Sequence, residues 1–170
     1  MPKGLKATSS TIIIGASVTE SAPNTFTQAN VDLQLNPLDN EVFVVVAVDM
    51  DVSPAEAIAA TDTRSTLAMT TTSQTAMPIL ASSNVIARKS VAFQGAGLAD
   101  GGYGIAETAG ETPATTLDYV GIIATNDFFL QIQGNNNTAA KSASVKVYGY
   151  RARAESSVYA ALVQSEVLSS

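Results

Sequence analysis

The residues that most often carry enzymatic chemistry are missing from this chain, which contains neither histidine nor cysteine. Lys89-Ser90 and Lys141-Ser142 are the adjacent pairs that could support Ser–Lys chemistry. Neighbours in a strand point to opposite faces, however, so adjacency does not bring the serine to the lysine. Fifteen acidic residues are present, but no spacing singles out a pair for glycosidic acid–base catalysis. We therefore expect no enzymatic activity and no catalytic residue.

Two aspartates at the end of an apolar run are the best candidates for a metal site. Asp49 and Asp51 flank Met50 and share one face of a predicted strand. Carboxylate oxygens are ligands that calcium prefers, so a structural calcium ion is the one cofactor that the sequence suggests. An EF-hand would also need a loop glycine and a terminal glutamate, which do not follow at the required spacing. Two solvated acids are the simpler interpretation.

Tyrosines offer a second kind of surface. Tyr148 and Tyr150 lie on one face of a predicted strand together with Lys146, and Tyr103 follows two glycines. Tyrosines so placed could stack on a sugar or a base, although packing across strands or a subunit contact explains them more simply. The Gly-rich segment 95–110 lacks the following helix that a phosphate-binding loop requires.

The elements that must position these residues are strands, because apolar and polar residues alternate through most of the chain. The predicted strands lie at 31–35, 41–50, 63–75, 84–93, 117–124, 128–133 and 144–151, with a short one inside 95–110. Long helical patterns between them are absent, which favours an all-β antiparallel sandwich or barrel over a parallel α/β sheet. We expect a β-sandwich, in the form of a jelly roll of about eight strands.

Three local features are predicted within this fold. Ser53-Pro54-Ala55-Glu56 has the form of a capping box and predicts a short helix over 54–60. A turn at 134–137 predicts that 128–133 and 144–151 pair as a hairpin. The tail 156–170 fits either a short helix or a final strand.

The predicted core consists of the apolar faces of the alternating strands. The strand 41–50 is apolar on both faces and should be central. The core residues expected from the alternation are Val31, Leu33, Val42, Val44, Val46, Val48, Phe128, Leu130, Ile132, Val145 and Val147.

The 170 residues suit one domain with two short ends. We place an N-terminal arm at 1–10, the sandwich at 11–155 and the tail at 156–170. The apolar run at 12–14 is too short for a signal peptide or a membrane span, so we expect synthesis in the cytoplasm without secretion.

Charge is scarce, since only 14% of the residues are charged against about a quarter in an average soluble domain. The net charge of −6, with nine Lys and Arg in no dense run, argues against a nucleic-acid-binding surface. Small polar residues replace charge on the surface, and such a surface loses little hydration when it meets another protein. This composition favours burial of much of the surface in a larger assembly.

In pattern the chain resembles the coat proteins of small icosahedral viruses and phages, especially single jelly-roll capsid subunits. The resemblance rests on a short polar arm with Lys3 and Lys6, about eight strands, the Thr-rich stretch 63–75 and the final strand 145–151. It implies a structural protein of the virion shell that assembles with copies of itself, with other capsid proteins and an internal membrane as further candidate partners. Many such coats bind the genome through an Arg-rich arm, and two lysines here imply weak or no direct nucleic-acid binding.

The expected subunit contacts lie in the arm, the following apolar segment, the last strand and the tail. They are Lys3, Lys6, Ile12, Ile13, Ile14, Tyr148, Tyr150, Val158 and Leu162. Two alternatives stay open. One is a filament subunit, completed by exchange of the strand around 12–14 between neighbours. The other is a carbohydrate- or ligand-binding sandwich that uses the three tyrosines named above as platforms, with calcium at the aspartate pair.

Overall fold

Alternating strands build two antiparallel sheets in the computed structural model, which describes residues 2–98, 102, 104–108 and 117–168. The described residues form ten strands: β1 Leu5–Ala7, β2 Ile12–Thr19, β3 Thr27–Asp32, β4 Glu41–Val52, β5 Thr63–Thr70, β6 Val85–Gln94, β7 Gly104–Thr108, β8 Gly121–Ile123, β9 Asp127–Asn135 and β10 Ser142–Ala154. A short 3-10 turn, Pro37–Asp39, precedes β4. Helix α1, Ser156–Leu168, follows β10, so the tail is a helix.

The strand order is that of a jelly roll. In the front sheet, β1 and β2 both pair with β10, which is followed by β4 and then β8. In the back sheet, the order is β3-β9-β5-β6-β7. Without the short additions β1 and β7, the orders β2-β10-β4-β8 and β3-β9-β5-β6 are those of an eight-stranded jelly roll. The predicted all-β antiparallel sandwich is thereby confirmed.

Two layers of apolar side chains hold the structure together. Between the sheets, the largest fully buried side chains include Phe43, Leu67, Met69 and Phe128. Burial of each such side chain contributes about 1.5–3 kcal/mol to folding. A second layer lies between the front sheet and α1 and contains the residues Val42, Val44, Leu5, Ala124, Ala152 and Ala154. The front sheet is therefore apolar on both faces where α1 covers it.

Strand β4 contributes to both layers, and its alternation changes phase at Val46. Val45 pairs with Gly149 and Ala47 with Tyr148, which leaves Val46 as the extra residue of a β-bulge. Before the bulge the odd-numbered residues face the back sheet, and after it the even-numbered residues do. The prediction of Val46 as a core residue is wrong, since its side chain is 37% exposed.

The other predicted core residues are buried, although Val31 is buried only in part. Val42 and Val44 are fully buried, but they lie under α1 and not between the sheets.

The predicted hairpin between 128–133 and 144–151 is wrong. Strand β9 pairs with β3 and β5 in the back sheet, whereas β10 pairs with strands of the front sheet. Both strands are apolar on the face that points into the sandwich. Alternation therefore identified their inner faces correctly but did not distinguish two paired strands from two strands that face each other.

The predicted helix over 54–60 is also wrong, because its two capping residues are engaged elsewhere. No helical turn forms in this segment, which ends in a turn at Ala59 and Ala60. The Ser53 hydroxyl oxygen lies 3.0 Å from that of Ser142. The Glu56 carboxylate accepts hydrogen bonds from the 136–141 segment instead of from its own backbone. These long-range bonds satisfy the groups that would otherwise have capped a helix.

The N-terminal segment is part of the front sheet, since Leu5 to Ala7 pair with Ala154 to Ala152 of β10. Gly4 has a φ of +79°, and a Cβ there would lie 2.9 Å from Val158 of α1. A glycine at this position thus lets the chain approach the helix closely. Among the described residues, no helix is long and apolar enough to cross a membrane.

Candidate functional site

The two ends of the sandwich differ in chemistry. At the end that we call the polar end, carboxylates join the loops 20–26, 53–62 and 136–141. The buried Glu20 carboxylate accepts hydrogen bonds from the backbone N–H groups of Gly134 (2.6 Å) and Lys141 (2.8 Å). Hydrogen bonds to an ionised carboxylate are stronger than those between neutral groups. Glu20 thus fixes the segment by which the chain crosses from the back sheet to the front sheet.

Glu56 holds the same crossover from the other side. Its carboxylate accepts hydrogen bonds from the backbone N–H groups of Thr138 (2.8 Å) and Ala139 (3.0 Å) and from the Lys141 ammonium group (2.9 Å). These hydrogen bonds lower the pKa of Glu56 to about 2, and the bond from the Thr138 hydroxyl has the largest effect. The charged groups at this end are therefore used within the subunit. Lys141 in particular is paired with Glu56 and not with the adjacent serine.

At the opposite end, helix α1 meets the loop 124–126. The buried Glu166 carboxylate accepts hydrogen bonds from the backbone N–H groups of Ala124 (2.9 Å) and Thr125 (2.9 Å). Burial raises the pKa of Glu166, while these hydrogen bonds oppose the rise. The Thr125 hydroxyl lies near the carbonyl oxygens of Asp127 (3.4 Å) and of Thr71 (3.5 Å), the latter at the start of the loop 71–84. The last turns of α1 are thereby fixed to this end.

This second end exposes large aliphatic side chains, and we call it the apolar end. They belong to the loops 33–40 and 71–84 and to the last turn of α1, and are Leu38, Ile79, Leu80, Val167 and Leu168. Leu38 is 93% exposed. Exposed aliphatic side chains gathered at one end of a small domain are typical of a surface that contacts another protein.

The solvent-facing side of α1 carries no charge. Val158, Tyr159, Leu162 and Val163 pack against the front sheet. The only Asp, Glu, Lys or Arg between Ser156 and Leu168 is Glu166, whose side chain is buried. A helix that faces water normally bears charged residues on its outer side. Its outer side is uncharged and consists of small and polar residues, and it adjoins the apolar end.

The part of the front sheet that α1 leaves open forms a shallow groove of about 500 Å³ on the outer face. We call it the front groove. The polar and small residues that line it are Gly15, Ser17, Asp49, Asp51, Ser144 and Lys146. The Tyr148 hydroxyl donates a hydrogen bond to Asp49 Oδ2 (3.0 Å), and this bond raises the pKa of Tyr148. The structure thus brings together two of the residue types that the sequence singled out, the aspartate pair and a tyrosine.

The aspartate pair gains no further metal ligand from its surroundings. Asp49 and Asp51 are exposed, and Asp49 already accepts the hydrogen bond from Tyr148. Within residues 2–98, 102, 104–108 and 117–168, no three His, Cys, Asp or Glu side chains cluster in a way that could hold a metal ion. The calcium site therefore stays a prediction.

The predicted contact residues of the N-terminal region divide into exposed and packed side chains. Lys3, Lys6 and Ile13 are exposed, whereas Ile12 and Ile14 pack in part against the core of the sandwich. Strand β2 pairs along its whole length with β10 of its own chain. A strand from a neighbour is thus not needed to complete the front sheet.

The predicted contact residues of the C-terminal region lie mostly within the subunit. Tyr150, Val158 and Leu162 are half-buried between the front sheet and α1. Burial, together with the Asp118 carboxylate, raises the pKa of Tyr150. Tyr103, the third predicted platform, lies outside the described residues.

Sequence reasoning did not identify the apolar end. Its signals were present in two places, because Leu38 and Ile79-Leu80 each follow a proline in a segment between strands. Turn segments usually carry polar residues, so aliphatic side chains there could have been recognised as exposed. Glu166 could likewise have been noticed as the single charge in an otherwise uncharged helix.

No protein-family model matches the chain, and no curated protein is similar to it in sequence. A jelly roll hosts many functions, so the strand order by itself does not decide among them. The surfaces described above must carry the functional inference.

Proposed function

We propose that this protein is a structural subunit that assembles with copies of itself into the shell of a virus particle. The observation that carries the proposal is the uncharged outer side of α1 beside the aliphatic side chains of the apolar end. Aliphatic side chains gathered beside an uncharged helix are typical of a surface that is buried in a contact, as it would be in a shell. The jelly-roll strand order suits the same role.

The chemistry of this surface favours a protein contact over contact with the genome. Burial of apolar surface is the main favourable contribution to a contact of this kind. No charged group has to lose its hydration on the outer side of α1, so little of this gain is offset. The net charge of −6 disfavours phosphate binding, and the exposed lysines Lys3 and Lys6 are too few to reverse it. Other coat proteins and an internal membrane are further proposed partners.

The test is assembly of the purified protein and of a charged variant. We expect light scattering and negative-stain microscopy to show particles of wild-type protein. The double variant Ile79→Asp, Leu80→Asp should remain a monomer, because burial of the new carboxylates in a contact is costly. The matched control is Ile105→Asp on β7, because Ile105 is 66% exposed and Ile79 is 65% exposed. This control should assemble like wild type.

Two outcomes would contradict the proposal. One is a wild-type protein that stays a monomer near 17.5 kDa at every salt concentration and pH. The other is a double variant that assembles as well as the Ile105→Asp control.

A further inference from the structure

We propose that the front groove is a binding site for a short neutral oligosaccharide. It lies on the half of the front sheet that α1 leaves open and is separate from the apolar end. The site therefore does not depend on the proposed assembly. Its volume of about 500 Å³ is that of a shallow depression open to solvent above the sheet.

The strand register sets the layout of the groove. Gly15, Lys146 and Asp49 are paired across β2, β10 and β4 and form one row. Because neighbouring strands lie about 4.8 Å apart, such a row is about 10 Å wide. Ser17, Ser144 and Asp51 form the next row in the same way.

Glycine makes the floor of the groove. A Cβ at Gly15 would meet nothing within 4 Å, so the space above this strand is open. Ser17 and Ser144 in the next row are also small. The floor is therefore flat, and the C–H face of a sugar ring can lie against it. The charged side chains on the β10 and β4 side form the wall.

The wall presents both hydrogen-bond acceptors and a donor. The Asp49 carboxylate is oriented by the Tyr148 hydroxyl, which bonds to only one of its two oxygens. The side chains of Asp51 and Lys146 make no hydrogen bond or ion pair with another described residue. Carboxylates accept bonds from hydroxyl groups, and the ammonium group donates three. These groups are thus available to a ligand.

The same groups exclude other classes of ligand. Two carboxylates repel phosphates, nucleic acids and acidic sugars. An apolar ligand would cover these charged groups without offering them a hydrogen bond. Neutral sugars carry hydroxyl groups that both donate and accept, which matches the mixture in this groove.

The binding test uses an array of neutral disaccharides and trisaccharides built from glucose, galactose, mannose and N-acetylglucosamine, with sialylated and sulfated counterparts. We expect the full-length protein to bind members of the neutral set, and titration calorimetry then gives the affinity of the best one. Gly15→Val should weaken this binding by about tenfold or more, because the valine fills the floor of the groove. The matched control is Gly104→Val on β7, where a Cβ also meets nothing within 4 Å.

A second variant keeps the test decisive if Gly15→Val alters folding, which thermal melting would reveal. Asp51→Asn retains the shape of the side chain and removes its charge, and should also weaken binding. The proposal is overturned if no neutral sugar binds, if the acidic sugars bind better, or if both variants bind like wild type. It is also overturned if Gly15→Val changes only the oligomeric state, because the groove is then a contact between copies.

Discussion

At the scale of single residues, Gly149 shows how closely the strands of the front sheet approach each other. It pairs with Val45 at the β-bulge of β4. A Cβ at this position would collide with the carbonyl oxygen of Val44 and lie 2.5 Å from the ring of Phe43. Since the Phe43 ring fills the centre of the sandwich, it has little room to move. The residue must therefore be glycine for the bulge and the core to coexist.

We expect Gly149→Ala to destabilise the protein by about 1–3 kcal/mol, the usual cost of overpacking a core. Urea denaturation measures this change in the free energy of unfolding. The control is Gly15→Ala, which meets no neighbour within 4 Å and should change stability by less than about 1 kcal/mol. Equal stability of the two variants would show that the close contact around Gly149 is absent in solution.

Single residues also mark where sequence reasoning could succeed. The alternation in β9 identified Phe128, Leu130 and Ile132 as buried, and all three are. The alternation in β4 was uninterrupted in sequence, and yet it placed the exposed Val46 in the core. Every residue around the bulge is apolar, so nothing in the local pattern marks the extra residue. Its position is set by the pairing with Gly149, which lies about a hundred residues away in the chain.

At the scale of elements, the sequence predicted which face of each strand is buried better than it predicted which strands pair with each other. The many short alternating strands correctly predicted an antiparallel sandwich. The predicted hairpin, however, paired β9 with β10, and these strands belong to different sheets. The turn residues at 134–137 suit a hairpin, but the Asn137 side chain donates a hydrogen bond to the Arg64 carbonyl oxygen and accepts one from the Glu56 backbone N–H. Such contacts bring distant loops together and cannot be inferred from a local pattern.

The pH dependence of Glu56 tests the contacts between the loops of the polar end. Its pKa is lowered to about 2 by hydrogen bonds to the 136–141 segment. A lowered pKa stabilises the folded protein above the pKa of the unfolded chain, near 4.5, and this contribution is lost as the pH falls toward 2. Wild type should therefore be more stable than Glu56→Gln at neutral pH, and the difference should shrink between pH 4.5 and 2.

Denaturation at several pH values measures this difference, with Glu155→Gln as the control. Glu155 is exposed and precedes α1, away from the polar end. A difference between wild type and Glu56→Gln that stays constant from neutral pH to pH 2 would mean that the carboxylate is not held as described.

At the scale of the whole molecule, charge has different roles at the two ends, and the apolar end also carries the exposed ion pair between Asp39 and Arg153. The carboxylates Glu20 and Glu56 are used to join loops at one end, and the outer side of α1 at the other has no charge. The overall scarcity of charge was visible in the sequence and favoured an assembly. The position of the uncharged surface was not visible in the sequence, because the apolar end is built from two loops and a helix that are distant in sequence. Only the fold brings them to one end.

The location of charge leads to an expectation about salt. If copies assemble through the apolar end, the contact is made mostly by aliphatic side chains, and the exposed ion pair beside them, Asp39 with Arg153, is already formed within one subunit. Between about 0.05 M and about 1 M sodium chloride, the Debye length falls severalfold, and contacts made by surface charges weaken. Assembly of this protein should persist over that range.

Sodium sulfate should promote assembly, because such salts strengthen the burial of apolar surface, and cooling should weaken it. Light scattering during salt and temperature titrations measures both effects. Particles that dissociate in sodium chloride and are stable in the cold would indicate an assembly held by charge, and the apolar end would then not be the contact.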